Sequence, residues 1–531
     1  MIRQSPSIFN DIVGPAMVGP SSSHTCAPSR IGFLARQLLP GTLKKAIISF
    51  AKDGAYTMMY KGQRSDMGFV NGLLGNRPED PRLRDAFREA EKIGVEIQFK
   101  IEDFPAVVPN ISHITLENTK GERVVVHSDS TGGGTVKLLK IDEFDVEIVG
   151  DCYELIVWAD RSETHAQDLC SEIQSLSALD EGHSISEKSG KCLINIKYRE
   201  PLETELLDKI KSIPDVTKVI LMEPILTVLS NRHCSLPFSS AEEMLEYAHS
   251  SGRELWELAV EYEMERSGWT KKQVLDYMGY VVSTMEAGSQ EALKGDIDMS
   301  GILSPTAGKI ETFIKENPNA LDMGVLNTAV PWAMATMEYS SAMGVVLCAP
   351  TGGSAGIFPG AILGTAKHMG LNMEQKIRAM FVTTILGIVM SKDCNYSAEL
   401  YGCQVEPGAA SGMAAGGLVY LMGGTPEQIC KAASCAIQNI LGTICDPVAG
   451  LVQLPCINRN AMSVANSVVS ANMIMGGYDS LISLDQTAET LFRVGRQLPS
   501  ELRCTCRGGL CTTPCGKQLA REQDVRDNSR E

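Results

Sequence analysis

The chain is short of basic clusters: 48 Lys and Arg stand against 64 Asp and Glu, for a net charge of −16. No basic stripe breaks that acidic balance, which speaks against a nucleic-acid partner. Long apolar runs are missing too. The longest, near 380–390 and 412–422, fall well short of the ~20 residues that a membrane-spanning helix needs. The first ten residues are polar and lead into no apolar h-region, so no secretory leader is expected and the protein is assigned to the cytoplasm. No C-x-x-C pair occurs, and no Walker lysine follows the glycine-rich Ser130–Thr135 stretch, which reads as a turn and is weak as a phosphate loop. Nor is there a convincing lysine motif for pyridoxal phosphate, and none is expected as cofactor.

What is present is an ordinary globular composition, 44% hydrophobic and 21% charged, in a chain of 531 residues. That length accommodates two to four domains at about 100–200 residues each. Sixteen cysteines in a reducing compartment point to metal binding or catalysis, not to a disulfide framework.

Organisation follows from periodicity. Residues 1–144 read as an α+β domain, with strands over 45–50, 95–101, 113–117 and 123–128 and a helix beginning near Pro28. Residues 145–224 read as a small α+β module, strand–helix–strand and then helix–strand, that resembles the ACT fold. An effector site and an inert spacer are both open for it. A linker covers 225–238. Residues 240–516 read as all-helical, opening on a capping box at Ser240–Glu243 and continuing through helices over 269–293, 305–317, 327–340, 357–389, 409–421, 425–441 and 458–475. Residues 517–531 form a charged tail.

The chemistry-bearing residues gather at turns. Ser21, Ser22, Ser23, His24 and Thr25 precede the Pro28 helix, where hydroxyls and free N–H groups make a cradle for a carboxylate. An over-supplied N-cap is the plainer alternative. Histidine is the side chain whose ordinary titration range lies near neutrality, which makes His24 a candidate acid or base. Cys403, Cys445 and Cys456 sit beside Gly, Pro or Asp, residues that mark element ends. Three thiolates converging from turns suit an iron–sulfur cluster or zinc, whereas buried core cysteines remain the alternative. Cys430 and Cys435 lie within a helical stretch and read as core. The tail places Cys504, Cys506, Cys511 and Cys515 in twelve residues; a self-contained zinc knot is one reading, but the C-x-C at its start is a poor match to the C-x₂₋₄-C pairs of zinc modules.

Taken together, these segments resemble the iron–sulfur-dependent L-serine dehydratases, with both subunit-type regions fused in one chain. Val18–Gly32 is similar to the family's V-G-P-S-S-S-H-T motif and Ala349–Gly356 to its A-P-T-x-G segment. Cys403-Gln404-x-Glu406-x-Gly408, Cys445-Asp446-Pro447-Val448-Ala449-Gly450 and Pro455-Cys456-Ile457-x-Arg459-Asn460 resemble its cluster segments, and Arg507-Gly508-Gly509-Leu510 its tail. The resemblance implies a [4Fe–4S] cluster on Cys403, Cys445 and Cys456 with one iron open to an amino-acid substrate, Cys511 or Cys515 being alignable with the family's plug at that iron. It implies dehydration and deamination of L-serine to pyruvate and ammonia, with Thr351, Gly352 and Ser397 joining the Ser21–Thr25 turn around substrate and His24, Gln63 and Asp66 at catalytic positions.

Two departures stand out. Relatives often read G-H-G-T-D where this chain has Gly62-Gln63-Arg64-Ser65-Asp66, and N-A-S-x-S-G-A-E where it has Cys394–Glu399. They leave open a sibling lyase for another β-substituted amino acid, such as a cysteine desulfidase, and a non-catalytic iron–sulfur or amino-acid sensor. A homodimer is expected by base rate.

Overall fold

The computed structural model describes residues 5–160, 163–176, 180–391 and 395–528; Asp393, Cys394 and the last three tail residues lie outside that set. The chain forms two compact units. One comprises 24–60 and 65–233, the other 1–23, 61–64 and 234–531.

The first of these units carries two sheets. A six-stranded sheet runs in the order Glu96–Glu102, Leu43–Ala51, Ile111–Asn118, Arg123–Gly132, Thr135–Ile141, Phe144–Ile148. Its first pair is parallel and the rest antiparallel. Alternate residues of Ile111–Asn118 and Arg123–Gly132 face the core, as period-two patterning dictates. The sheet runs past residue 144, where the sequence reading placed a boundary, because Phe144–Ile148 pairs within it. The glycine-rich turn is a tight hairpin. Gly132, Gly133 and Gly134 all have positive φ, and the Gly134 carbonyl accepts a 2.6 Å bond from Arg30.

Helices Ala27–Gln37 and Ser65–Leu73 cover this sheet with Ile31, Leu34, Phe69 and Leu73. They pack nearly backbone to backbone. A Cβ on Gly72 would lie 1.9 Å from Ser29 O and 2.5 Å from Phe33 N. Glycine lowers helix propensity, which is why Ser65–Leu73 is inconspicuous in sequence, and here it is required by proximity. Gly72→Ala is expected to destabilise this unit by at least the ~1–3 kcal/mol of an overpacked core, seen as a lowered thermal midpoint. An unchanged midpoint would contradict the packing.

The second sheet is a βαββαβ arrangement: Tyr153–Ala159, helix Glu163–Leu176, Gly182–Lys188, Lys191–Tyr198, helix Thr204–Lys211, Val216–Met222. All neighbours are antiparallel, and Tyr153–Ala159 lies between Val216–Met222 and Lys191–Tyr198. The sequence reading missed Gly182–Lys188, a polar edge strand. It is joined to the next strand through Ser189-Gly190, both at positive φ as a tight hairpin demands.

The other unit is mainly helical. Met373–Met390 and Pro407–Leu421 are buried over most of their length. The single helix expected over 357–389 is broken. Pro359–Gly364 and Thr365–His368 end at Gly370, φ +68°, and Asn372 then caps Met373–Met390 through a capping box with Gln375. Cys430 and Cys435 are buried in Pro426–Gln438, as core residues. No helix among the described residues is long and apolar enough to cross a membrane.

The first residues of the chain belong to this helical unit. Ala16–Val18 pairs antiparallel with Val345–Leu347, and Ile8, Phe9 and Ile12 are fully buried. Glu263, in helix Leu255–Ser267, receives the Ser7 hydroxyl and the Ile8 N–H, each at 2.7 Å. Burial pushes its carboxyl up to about 7 against the opposing pull of Ser7, Arg266 and Ile8. Folding therefore favours the protonated form. The associated stability, roughly 3 kcal/mol, is fully present below the ordinary carboxylate range and lost as pH rises through about 7. Glu263→Gln should flatten the stability profile between about pH 4.5 and 7, measured by chemical denaturation; a slope as steep as that of the parent chain would contradict it.

Candidate metal centre

Gly402 turns the chain sharply after helix Ala398–Tyr401. At φ +76° it lies so close to Thr443 O, 3.0 Å from a built Cβ, that only glycine fits without strain. Cys403 follows, and Gln404 fixes the turn: its N–H donates to Thr443 O at 3.1 Å and its side-chain oxygen accepts from Gly442 N at 2.7 Å. These bonds bring the segment before Cys445 alongside Cys403. Cys445 in turn pairs with the tail, its N–H donating to Leu502 O at 2.8 Å and its carbonyl accepting from Cys504 N at 2.9 Å. Donor atoms of Cys403, Glu406 and Cys445 consequently lie within 4.8 Å of one another. Cys456 opens helix Cys456–Met475 and is not one of that group of three, although Cys403 acts electrostatically on its thiol.

Two consecutive residues of that helix hold the centre together. Arg459 donates to Ile444 O at 2.8 Å, to Asp446 Oδ1 at 2.8 Å and to Cys403 Sγ at 3.5 Å. Asp446 Oδ2 accepts from Leu510 N at 2.8 Å, which fastens the tail. Asn460 bonds Gly353 O at 2.8 Å and Cys456 O at 2.9 Å, and accepts from Gly356 N at 3.1 Å. The loop thus anchored presents Thr351, whose hydroxyl donates to Glu406 Oε1 at 2.6 Å, while Glu406 Oε2 receives the Cys403 thiol at 3.9 Å.

Acidic groups outnumber cations here. The Cys403 thiol is held well above its ordinary range by the hydrogen bond with Cys445 and by burial. At Cys445 the bond with Cys403 pulls down, and contact with Cys504 and burial more than reverse it. Burial, then Cys403, raises Cys456. Glu406 is pushed up to about 8 by burial, with Glu399 adding to the rise against Thr351. Burial disfavours the Arg459 charge, but Cys403 and Asp446 outweigh it and hold the guanidinium protonated. Thiols and the Glu406 carboxyl, which resist ionisation beside one guanidinium, form the donor set that a thiophilic cation relieves, since such ligands bind deprotonated. The residues fit an iron–sulfur cluster.

The comparisons with known proteins fall on this region. Residues 250–511 match the family described as Serine dehydratase alpha chain. The protein named "Probable L-serine dehydratase, alpha chain" of Bacillus subtilis (strain 168) is 35% identical over 285 residues, 54% of this chain and 95% of its own length. The chain belongs to the serine dehydratase alpha chain family. The L-serine dehydratase alpha chain of Peptoniphilus asaccharolyticus is 32% identical over 54% of this chain and 97% of its own. L-serine dehydratase TdcG of Escherichia coli (strain K12), 27% identical, covers 93% of this chain and 96% of its own, so that similarity extends across both units.

The serine dehydratase alpha segment contains the three cysteines together with Glu406, Arg459, Asn460 and Cys504. Gly352 N donates to Ser22 Oγ at 3.1 Å, which joins two of the substrate-binding candidates. Ser21 is buried and Ser23 partly so. Gln63 is buried in a segment whose Gly62 lies against the Ala449–Leu451 backbone turn; Gly62 and Arg64 line a small polar crevice with Pro20, Met299 and Gln453. Ser397 donates to Glu399 at 2.8 Å, and Glu399 acts on Glu406.

His24, Thr25 and Asp66 belong to the two-sheet unit. His24 and Thr25 are fully buried, with the His24 ring edge-on to Tyr56 at 5.2 Å. Asp66 accepts from Met67 N at 2.8 Å at the start of helix Ser65–Leu73. In the tail, the thiol that meets Cys445 is Cys504. Cys511 donates to Pro447 O at 3.2 Å, and Cys515 is exposed. Sequence reasoning gave no role to Glu406, Arg459, Asn460 or Cys504. The first three stand in the motifs quoted for the resemblance; Cys504 was masked by a spacing judged only against zinc sites.

Proposed function

We propose that this chain is an L-serine ammonia-lyase that converts L-serine to pyruvate and ammonia with a [4Fe–4S] cluster on Cys403, Cys445 and Cys456. The observation that carries the reading is the set of converging donors at Cys403, Glu406 and Cys445 inside the segment shared with proteins named L-serine dehydratase. The cluster, when bound, supplies a Lewis acid for the departing hydroxyl. Ser22 Oγ, which accepts Gly352 N–H, keeps its own proton for a substrate carboxylate oxygen, with Ser21, Ser23, Thr25 and Ser397 as further donors. His24 accepts the α-proton. Gln63 orients substrate, since an amide takes no proton at neutral pH, and Asp66 supports that segment. Loss of the α-proton and the hydroxyl as water leaves 2-aminoacrylate, which takes up water to give pyruvate and ammonia. The scheme uses no pyridoxal phosphate. Cys504, beside Cys445, is the tail thiol best placed for the fourth position, ahead of Cys511 and Cys515.

The βαββαβ order of the second sheet favours an ACT-like regulatory module from Tyr153 to Met222, between a β-type region that runs on through Ile148 and an iron–sulfur region over 240–516. The enzyme is read as a cytoplasmic homodimer.

The deciding experiment is an anaerobic assay of iron-loaded protein for 2-oxo acid from a panel of β-substituted amino acids. Pyruvate from L-serine is expected. Faster sulfide release from L-cysteine would favour the sibling lyase, and no turnover of any substrate at full iron would leave a sensor. In His24→Gln protein, exchange of the serine α-hydrogen with solvent should stop with iron retained; continued exchange rejects His24 as the base. Gln63→His is expected to raise serine turnover by no more than about 10²-fold, the low end of a general base's contribution. Unchanged turnover would put position 63 outside the proton path.

A further inference from the structure

The tail's four cysteines do not act alike. Cys504 meets Cys445 and Cys515 is exposed, which leaves Cys506 and Cys511, and the proposed reaction uses neither. Both thiols donate to the same acceptor, Pro447 O, at 3.5 and 3.2 Å. That shared partner bounds their separation, and each thiol shifts the titration of the other. The segment between them folds back through Gly508 and Gly509, with Gly509 at φ +61° and in close approach to the Asp446 side chain. Cys506 is partly exposed and Cys511 is 8% exposed, so a small reagent reaches the first before the second.

We propose that Cys506 and Cys511 form a reversible disulfide by exchange with a low-molecular-weight disulfide of the glutathione class. The Cys506 thiolate attacks one sulfur of the small disulfide, its S–S bond breaks, and one small thiol leaves. Cys511 then attacks the Cys506 sulfur of the mixed disulfide and expels the second small thiol. The protein gives up two electrons and two protons, and both small thiols carry them away.

The place of the pair gives this modification a consequence. A disulfide has no S–H, so oxidation removes both thiol donors from Pro447 O together and leaves it the Gly450 N–H at 3.0 Å. Pro447 lies two residues after Cys445 and begins the turn Val448–Gly450, whose far end, at Ala449 and Leu451, faces Gly62. A buried carbonyl that loses two of these three donors is held less firmly, and the loosened loop is the one that carries Cys445. Oxidation at 506 and 511 is therefore a brake on metal retention, set by thiols that are not themselves needed to bind metal.

The test equilibrates the full iron-loaded chain, without oxygen, in a series of reduced-to-oxidised glutathione ratios. Samples are quenched in acid, alkylated with N-ethylmaleimide and weighed intact and as peptides. The expected result is loss of two alkylatable thiols with no retained glutathione, reversed by reduced glutathione. Cys511→Ser should instead retain a glutathione adduct on Cys506, and Cys506→Ser should form no cross-link. A serine hydroxyl still donates to Pro447 O, so either variant keeps the turn's hydrogen bond while losing the disulfide. Full alkylation at every ratio, or a cross-link through Cys504 or Cys515, overturns the assignment. Iron release to a chelator should be at least about 2-fold faster from the oxidised chain and unchanged in the two variants; equal rates overturn the coupling to the Cys445 loop. The thiol count does not depend on serine turnover, so failure of the proposed enzymatic activity leaves this result readable.

Discussion

Chains carrying Cys403→Ser, Cys445→Ser or Cys456→Ser, purified without oxygen, are expected to be colourless, with iron near background and no serine turnover. On the proposed ligand set, each substitution removes one of three protein thiolates from a centre whose remaining donors include Glu406, a carboxyl that burial pushes up to about 8. A hard, protonated oxygen does not replace a thiolate for a soft cluster. Cys430→Ala provides the contrast. Its thiol is buried in helix Pro426–Gln438 and raised to about 12, by burial first and then by Asp485 and Glu427. Truncating it should lower stability slightly and leave iron and colour intact. Full iron in all three serine variants would overturn the assignment of the ligands.

Arg459→Leu should cost about 3–5 kcal/mol in stability, the range for breaking a buried ion pair by removing one partner. Asp446 is 2% exposed, and Arg459 is the cation bonded to it. The variant also frees Ile444 O and the Cys403 sulfur, so iron should be lost together with stability. Arg459→Lys is expected to rescue only part, because a single ammonium cannot present the planar fork that reaches a carbonyl, a carboxylate and a sulfur together. Adding Asp446→Asn to Arg459→Leu should restore stability in part without restoring iron, since the uncompensated charge goes but the bond to Cys403 does not return. An unaltered melting curve in Arg459→Leu would show that the pair contributes little.

Where local pattern and tertiary need agree, the sequence was readable. The Pro28 helix, four of the six strands of the first sheet and the core placement of Cys430 and Cys435 follow from period and punctuation, whereas Thr135–Ile141 and Phe144–Ile148 were not read as strands. Helix Ser65–Leu73 did not, since Gly68 and Gly72 serve contact with the neighbouring backbone and depress the local signal. Strand Gly182–Lys188 is nearly all polar because it is an edge, and period-two apolarity is the signal it lacks. Within the site, cysteines at turns were conspicuous, but nothing local tells that Arg459 answers to Asp446 or that Cys504 meets Cys445. Those pairings exist only once Cys445 N and O have bonded Leu502 and Cys504.

The first 23 residues fold with the helical unit, and the two-sheet unit is threaded between them and residue 234, interrupted again at 61–64. The two-sheet unit is thus not a bead on a string but an insertion sewn into its host at several stitches. One cut in the backbone near residue 234 would not part the pieces. The front piece would still be held by Ile8, Phe9 and Ile12 in the helical core and by the strand pairing of Ala16–Val18 with Val345–Leu347. A nicked chain of this design travels as one particle, and dividing it into two separately made polypeptides would leave the helical piece with an unpaired strand edge that only the other piece can fill.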